Sequence, residues 1–75
     1  MQDDDAADRA FAGLTDREVE CLKWAAAGKT AWETSVILSI SARTVEHHLA
    51  AAARKLNAAS RVQSVAEALR RGIIS

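Results

Sequence analysis

Sequence signals for the start of an α-helix occur four times between residues 15 and 63 of this 75-residue chain. In a capping box, a Ser or Thr hydroxyl accepts a hydrogen bond from the backbone amide three residues on, and a Glu or Gln at that position reaches back. TDRE, TAWE and SRVQ, which begin at Thr15, Thr30 and Ser60, have the complete motif, whereas SART at Ser41 has the cap residue without the acid. Four starts at this spacing predict four short helices.

The ends of these helices are also marked. Gly28 and Gly72 each follow an apolar stripe, and a glycine in the left-handed conformation commonly closes a helix. Only Ser39, Ile40 and Ser41 separate the second helix from the third, which is a helix-turn-helix pattern without the glycine often found in its turn. The fold class predicted is all-α, with helices at about residues 15–27, 30–38, 42–57 and 61–71.

Length and cysteine content limit how such helices can be stabilised. Seventy-five residues are enough for one small domain and leave no room for an enclosed active-site cleft. The single cysteine, Cys21, excludes an intramolecular disulfide, so packed apolar side chains must hold the domain together in a reducing, cytoplasmic setting. No apolar run approaches the length of a membrane span. We therefore expect a protein that acts through its outer surface.

The charge is unevenly distributed, although the formal net charge is zero. Residues 1–40 contain four basic and eight acidic residues, whereas residues 41–75 contain six basic and two acidic residues. This asymmetry points to a polyanionic partner, although an ordinary solvated face gives the same pattern. Residues 1–12 begin with an acidic run and lack sustained periodicity, which is typical of a tail or the end of a linker, so the domain is expected at 13–75.

The predicted third helix has two distinct faces at about 100° per residue. The apolar face, which must face the core, consists of Val45, Leu49, Ala52 and Leu56. The opposite face consists of Arg43, His47, Ala50 and Arg54. Such a helix fits the major groove of DNA, because long cations reach phosphates and a small residue lets the backbone approach base edges. An amphipathic helix with a merely solvated face has the same periodicity.

Catalytic and metal-binding patterns are absent from the sequence. The adjacent residues Glu46, His47 and His48 diverge by about 100° each on a helix and cannot converge on one ion. Cys21 has no obvious catalytic partner, and no glycine-rich phosphate loop occurs. The sequence therefore predicts neither an enzyme nor a cofactor.

Five spaced segments resemble the LuxR-type helix-turn-helix DNA-binding domain, also called the GerE or LuxR C-terminal domain. They are LTDRE from Leu14, GKT with Glu33, LSIS from Leu38, TV with HL from Thr44, and KL with SR from Lys55. The segment GKTAWE is most similar to quorum-sensing receptors, whose upstream domain binds an acyl-homoserine lactone. No such domain is recognisable in these 75 residues, so we expect a fragment or separated effector domain, or else a stand-alone regulator.

The resemblance implies sequence-specific DNA binding by a bacterial transcriptional regulator located in the cytoplasm at the nucleoid. By motif, the base-reading positions are Glu46, His47 and Ala50. The positions that contact the DNA backbone are Lys29, Thr30, Ser41, Arg43, Thr44, Lys55 and Arg61, to which the helix geometry adds Arg54.

The resemblance also implies partners. A homodimer would form through the fourth helix on a dyad-symmetric, inverted-repeat promoter site, and RNA polymerase is a further candidate partner. The apolar residues of that helix are Val62, Val65, Ala66 and Leu69, and the sequence does not decide which of them face the partner copy and which the core. The alternative from another class is a small helical dimerisation module that binds protein without DNA.

The second helix carries residues with two interpretations. Trp32 is expected to cover the core, although it could instead lie against a sugar-phosphate backbone. Lys29 and Thr30 stand where free amides and the helix dipole attract a phosphate, although plain capping also explains them. Thr34 and Ser35 replace the Ile-Ala of many relatives and place polar groups near the packing face.

Two acidic residues also have alternatives. Glu46 either accepts a hydrogen bond from a cytosine amino group or pairs with Arg43 or Arg54 and orients them. Glu18 is expected to be structural, because helix capping and an internal ion pair with a basic residue explain it fully.

Overall fold

The structure, a computed structural model, describes residues 13–75. This part of the chain contains four helices and no strand, which confirms the predicted all-α class. The helices are α1 (Asp16–Ala26), α2 (Ala31–Leu38), α3 (Ala42–Lys55) and α4 (Arg61–Arg70). The predicted tail, residues 1–12, lies outside the described residues.

All four predicted caps are present. The Thr15 hydroxyl accepts from the Glu18 amide at 3.2 Å and the Glu18 carboxylate accepts from the Thr15 amide at 3.0 Å. Thr30 and Glu33 make the same pair of bonds at 3.0 and 2.8 Å. The caps have extended backbones, so α1 and α2 begin one residue later than the predicted 15 and 30.

The last box is incomplete. The Ser60 hydroxyl accepts from the Gln63 amide at 3.1 Å, but the Gln63 side chain accepts from the Ala59 amide at 2.7 Å instead of the Ser60 amide. The glutamine side chain therefore bonds to the residue before the cap instead of to the cap itself. The helix still begins at Arg61, as predicted.

The left-handed residues fix the helix ends. Gly28 and Gly72 have φ of 88° and 74°, as expected of closing glycines. The turn between α2 and α3 uses Ser39 at φ 59° in place of glycine. Asn57 has φ 57°, and α3 accordingly ends at Lys55, two residues before the predicted 57.

Replacing Ser39 with glycine is expected to raise the free energy of unfolding by roughly 0.5–1 kcal/mol. An L-residue pays about 1–2 kcal/mol in the left-handed conformation, and the extra freedom of glycine in the unfolded chain offsets part of the gain. Urea unfolding of Ser39→Gly and Ser39→Ala measures the difference, since the alanine variant keeps the β-carbon. A glycine variant no more stable than the alanine variant would show that the turn is unstrained.

The core lies mainly between α1 and α3. The predicted apolar face of α3 is confirmed, because all four of its residues are buried. The same cluster also contains Leu14, Leu22 and Ala68. It includes Ile73 and Ile74 from the C-terminal end of the chain. Since that stripe faces inward, the opposite face of α3 must point outward.

The predicted position of Trp32 is wrong, because its side chain is 69% exposed. The inward positions of α2 are Thr34 and Ser35, whose hydroxyls donate to the Thr30 carbonyl at 2.9 Å and the Trp32 carbonyl at 2.6 Å. Residues two apart on a helix diverge by about 200°, so an inward Thr34 turns Trp32 toward solvent. Polar groups are tolerated in this core because the helix backbone accepts their hydrogen bonds.

Cys21 is buried and free. Burial raises the pKa of its thiol, and Glu20 adds to the rise. Within residues 13–75, no helix has the length and apolar character needed to cross a bilayer.

Candidate nucleic-acid interface

The outward face of α3 contains the residues predicted for it. Arg43, His47, Ala50 and Arg54 are all exposed. At about 1.5 Å per residue, the two arginines lie roughly 16 Å apart along the helix axis, with His47 and Ala50 between them. The face therefore offers a cation at each end and shorter side chains in the middle.

The N-terminus of α3 is capped by a hydroxyl group, which also lies close to a second one. The Ser41 hydroxyl accepts from the Thr44 amide at 3.0 Å and lies 2.8 Å from the Thr44 hydroxyl. Both residues were predicted to contact the DNA backbone. Their hydroxyls already bond to each other, and Ser41 is exposed while Thr44 is half-buried.

The start of α2 is less open to an anion than the sequence suggests. The Glu33 carboxylate accepts from the Thr30 amide at 2.8 Å, and this hydrogen bond lowers the pKa of Glu33. A phosphate approaching that amide would meet an ionised carboxylate. Lys29 and Thr30 are both exposed, and Lys29 makes no ion pair with any residue in the described part of the chain.

Glu46 pairs with a residue that the helix wheel could not indicate. Its Oε1 atom accepts from Arg61 Nη2 of α4 at 2.7 Å, so its partner is neither Arg43 nor Arg54. The two residues are 15 positions apart and meet because α4 packs beside α3. Glu46, predicted to contact a base, thus forms an ion pair with Arg61, predicted to contact the DNA backbone.

Lys55 is held by α1. Its Nζ atom donates to Oε1 and Oε2 of Glu18 at 2.9 and 3.1 Å. The Glu18 side chain is 6% exposed and that of Lys55 is 37% exposed. The expected internal ion pair of Glu18 is therefore confirmed, and its partner is Lys55. The contact of Lys55 with DNA stays a prediction, but its ammonium already bonds to the Glu18 carboxylate.

The sequence contained one signal for this pair. On the helix wheel, Lys55 lies about 120° from Arg43, between the outward face and the apolar stripe. A lysine at the edge of a core commonly lays its apolar stem along that core and keeps its ammonium near the surface.

Cations without an ion-pair partner are the ones best suited to bind an anion. Among residues 13–75, four basic residues form no ion pair with another described residue: Lys23, Lys29, Arg43 and Arg54. Three of these four were predicted to contact the DNA backbone. By contrast, Arg70 and Arg71 both bond to Glu67, whose pKa they lower, so one of the two positive charges at the C-terminal end of α4 is neutralised.

The predicted dimer residues divide between two faces of α4. Val65 is half-buried against the core, whereas Val62 and Leu69 are 77% and 47% exposed and Ala66 is exposed. The three exposed residues follow an i, i+4, i+7 spacing and form one stripe. This settles which of the four residues pack inward, a point that the sequence left open.

Comparison with known proteins identifies the family. Residues 12–68 match the family described as "Bacterial regulatory proteins, luxR family". The HTH-type quorum sensing-dependent transcriptional regulator RpaR of Rhodopseudomonas palustris is 64% identical over 61 residues, which are 81% of this chain and 25% of that protein.

Two further relatives agree with this match. The transcriptional activator protein BjaR1 of Bradyrhizobium diazoefficiens is 55% identical over 62 residues, 83% of this chain and 26% of that protein. The transcriptional activator protein LuxR of Aliivibrio fischeri is 51% identical over 61 residues, 81% of this chain and 24% of that protein. The chain thus spans about a quarter of the length of these relatives. It belongs to the LuxR family of bacterial regulatory proteins and carries that family's helix-turn-helix domain, a domain for DNA-binding transcription regulation and not for enzymatic chemistry.

Proposed function

We propose that residues 13–75 are the effector domain of a quorum-sensing transcriptional regulator and place α3 in the major groove of an inverted-repeat promoter site. The observation that carries this proposal is the outward face of α3. Its two arginines form no ion pair with the described residues, and they flank shorter side chains that can approach base edges.

The contacts divide by chemistry. Glu46, His47 and Ala50 read base edges, and Ala50 offers only apolar contact, such as to a thymine methyl group. Lys29, Arg43 and Arg54, which form no ion pair within residues 13–75, bind phosphates. Thr30, Ser41, Thr44, Lys55 and Arg61 complete the backbone contacts, with their present partners exchanged or shared when DNA binds.

A homodimer forms through the exposed stripe of α4 made by Val62, Ala66 and Leu69. Exposed apolar side chains on one helical stripe favour burial against a second copy. A symmetric dimer requires two half-sites of opposite orientation, hence an inverted repeat.

The remaining parts of the proposal concern a longer protein. RpaR is described as quorum sensing-dependent, and its length is about four times the matched segment. We place the inducer site in a part of the regulator that this chain does not represent, with RNA polymerase as a further partner at the promoter. The protein would act in the cytoplasm at the nucleoid.

DNA affinity is expected to fall steeply with salt, because phosphate contacts release counterions. Anisotropy titration of a labelled duplex at several salt concentrations gives the slope of log affinity against log salt, about −0.9 for each phosphate neutralised. Arg43→Ala and Arg54→Ala should each reduce the steepness of that slope by about one unit.

Lys23→Ala is the matched control. Lys23 is an exposed cation without an ion pair among the described residues, as are the two arginines, but it lies on α1. Its removal should leave the slope unchanged. Binding that is absent or independent of salt would contradict the proposal and favour the helical module that binds protein alone.

A further inference from the structure

Glu46 is the one acidic residue of α3, and it lies beside the face that we propose to enter the major groove. Acidic groups at such a surface oppose the approach of phosphates. The Arg61 guanidinium offsets this charge by donating to Glu46 Oε1 at 2.7 Å from the first residue of α4. The pair therefore presents a nearly neutral unit at the surface.

The ion pair leaves hydrogen-bonding capacity on both residues. Only Oε1 of Glu46 and only Nη2 of Arg61 take part in it, and Glu46 Oε2 bonds to no other described residue. A carboxylate has two oxygens that can each accept, and a guanidinium has five N–H donors. The side chain of Glu46 is 58% exposed, so its second oxygen is accessible to a ligand.

A glutamate side chain has three torsions, and an exposed glutamate samples many rotamers. Fixing it in one rotamer costs conformational entropy. The bond from Arg61 holds the carboxylate at one place relative to the backbone of α3. Arg43 is three residues from Glu46 on the same helix and could pair with it, but it does not. The position of the carboxylate is thus set from α4.

We propose that Arg61 is a positioning residue for base readout, in that it holds Glu46 so that the second carboxylate oxygen accepts from the amino group of a cytosine. This inference rests on the proposed function. Cytosine is the base that carboxylates recognise in the major groove, because its exocyclic amino group is a donor there and, unlike that of adenine, has no N7 acceptor beside it. The remaining N–H groups of Arg61 are free to contact the adjacent phosphate. Base choice at that position then depends on a residue outside the recognition helix.

The experiment is a selection from a pool of duplexes with randomised bases, followed by sequencing of the bound fraction. The wild-type protein is expected to select a cytosine at one position of each half-site. Glu46→Gln should lose that preference and move toward adenine, which glutamine recognises. Arg61→Gln should reduce the cytosine preference about tenfold at the same position, although Arg61 contacts no base.

Two further variants separate positioning from simple charge. Arg61→Lys keeps a cation that can reach the carboxylate and should restore part of the preference. His47→Ala should change selection at a different position and leave the cytosine preference intact. Both members of the Glu46–Arg61 pair are substantially exposed, so circular dichroism should show folded variants.

The outcomes are distinct. If Arg61→Gln weakens binding to all selected duplexes equally while the cytosine preference persists, Arg61 is a phosphate contact only and the inference is overturned. If Glu46→Gln leaves the selected sequence unchanged, Glu46 does not read a base, which overturns it as well. If the wild-type protein selects no sequence, the proposed function itself fails.

Discussion

Replacing Leu22 with alanine is expected to lower the free energy of unfolding by about 2–5 kcal/mol, close to all the stability that a domain of this size commonly has. Leu22 lies on α1 and is fully buried in one cluster with Val45 of α3 and with Leu56, the residue that follows α3. Truncation removes apolar burial and leaves a cavity between the two helices. The outward face of α3 is oriented by this interface in the folded domain. Molecules that unfold should therefore also lose DNA binding.

Urea unfolding followed by far-UV circular dichroism measures the loss. The matched control is Val36→Ala on α2, an apolar truncation at a side chain that is 60% exposed. That variant should stay within about 0.5 kcal/mol of the wild-type protein. If Leu22→Ala also stayed within that range, the core would have closed around the missing side chain, and α1 would not be fixed by this contact.

The helix starts could be predicted because their chemistry is local. A cap such as Thr15 or Ser41 bonds to an amide three residues away, so the sequence contains both partners within one turn. The inward stripe of α3 could be predicted equally well, since apolar residues recur at helical spacing. The end of α3 was predicted two residues too late, because Asn57 adopts a left-handed backbone although the apolar stripe continues to Leu56.

The packing face of α2 could not be predicted in the same way. Its sequence, AWETSVIL, has apolar residues on every side, so periodicity favours no face. The helix places small hydroxyl residues inward and leaves Trp32 and Val36 exposed, because backbone carbonyls satisfy the hydroxyls of Thr34 and Ser35. Hydrophobicity alone does not indicate this orientation.

The charged pairs of the candidate interface depend on contacts distant in sequence. Arg61 reaches Glu46 across 15 positions, and Lys55 reaches Glu18 across 37. A helix wheel compares residues on one helix only, so it proposed partners for Glu46 on α3. Which basic residues lack an ion-pair partner among residues 13–75 therefore depends in part on these tertiary pairs and not on the number of basic residues.

Breaking the ion pair between α1 and α3 is the second substitution with a large expected effect. Lys55→Gln should lower the free energy of unfolding by about 1–3 kcal/mol, because it leaves the carboxylate of Glu18 buried without its counter-ion. The effect should be smaller than the 3–5 kcal/mol or so of a fully buried pair, since the side chain of Lys55 is 37% exposed and water screens it.

The role of Glu18 in capping requires a separate variant. Its Oε1 atom accepts from the Thr15 amide at 3.0 Å as well as from Lys55. Glu18→Gln keeps an acceptor for that amide and removes only the charge, whereas Glu18→Ala loses both and should cost about 1 kcal/mol more. Comparing the two by urea unfolding separates the cap from the ion pair.

A double-mutant cycle with Glu18→Gln and Lys55→Gln measures the coupling energy directly. The matched control is the cycle on Arg17 and Glu20, an exposed pair on the same helix at 3.2 Å, for which a coupling of about 0–1 kcal/mol is expected. The buried pair should exceed it, and the double variant should be more stable than Lys55→Gln alone because a neutral Gln at position 18 needs no counter-ion. Equal coupling in the two cycles would mean that burial of Glu18 adds nothing, and that apolar packing alone holds α3 against α1.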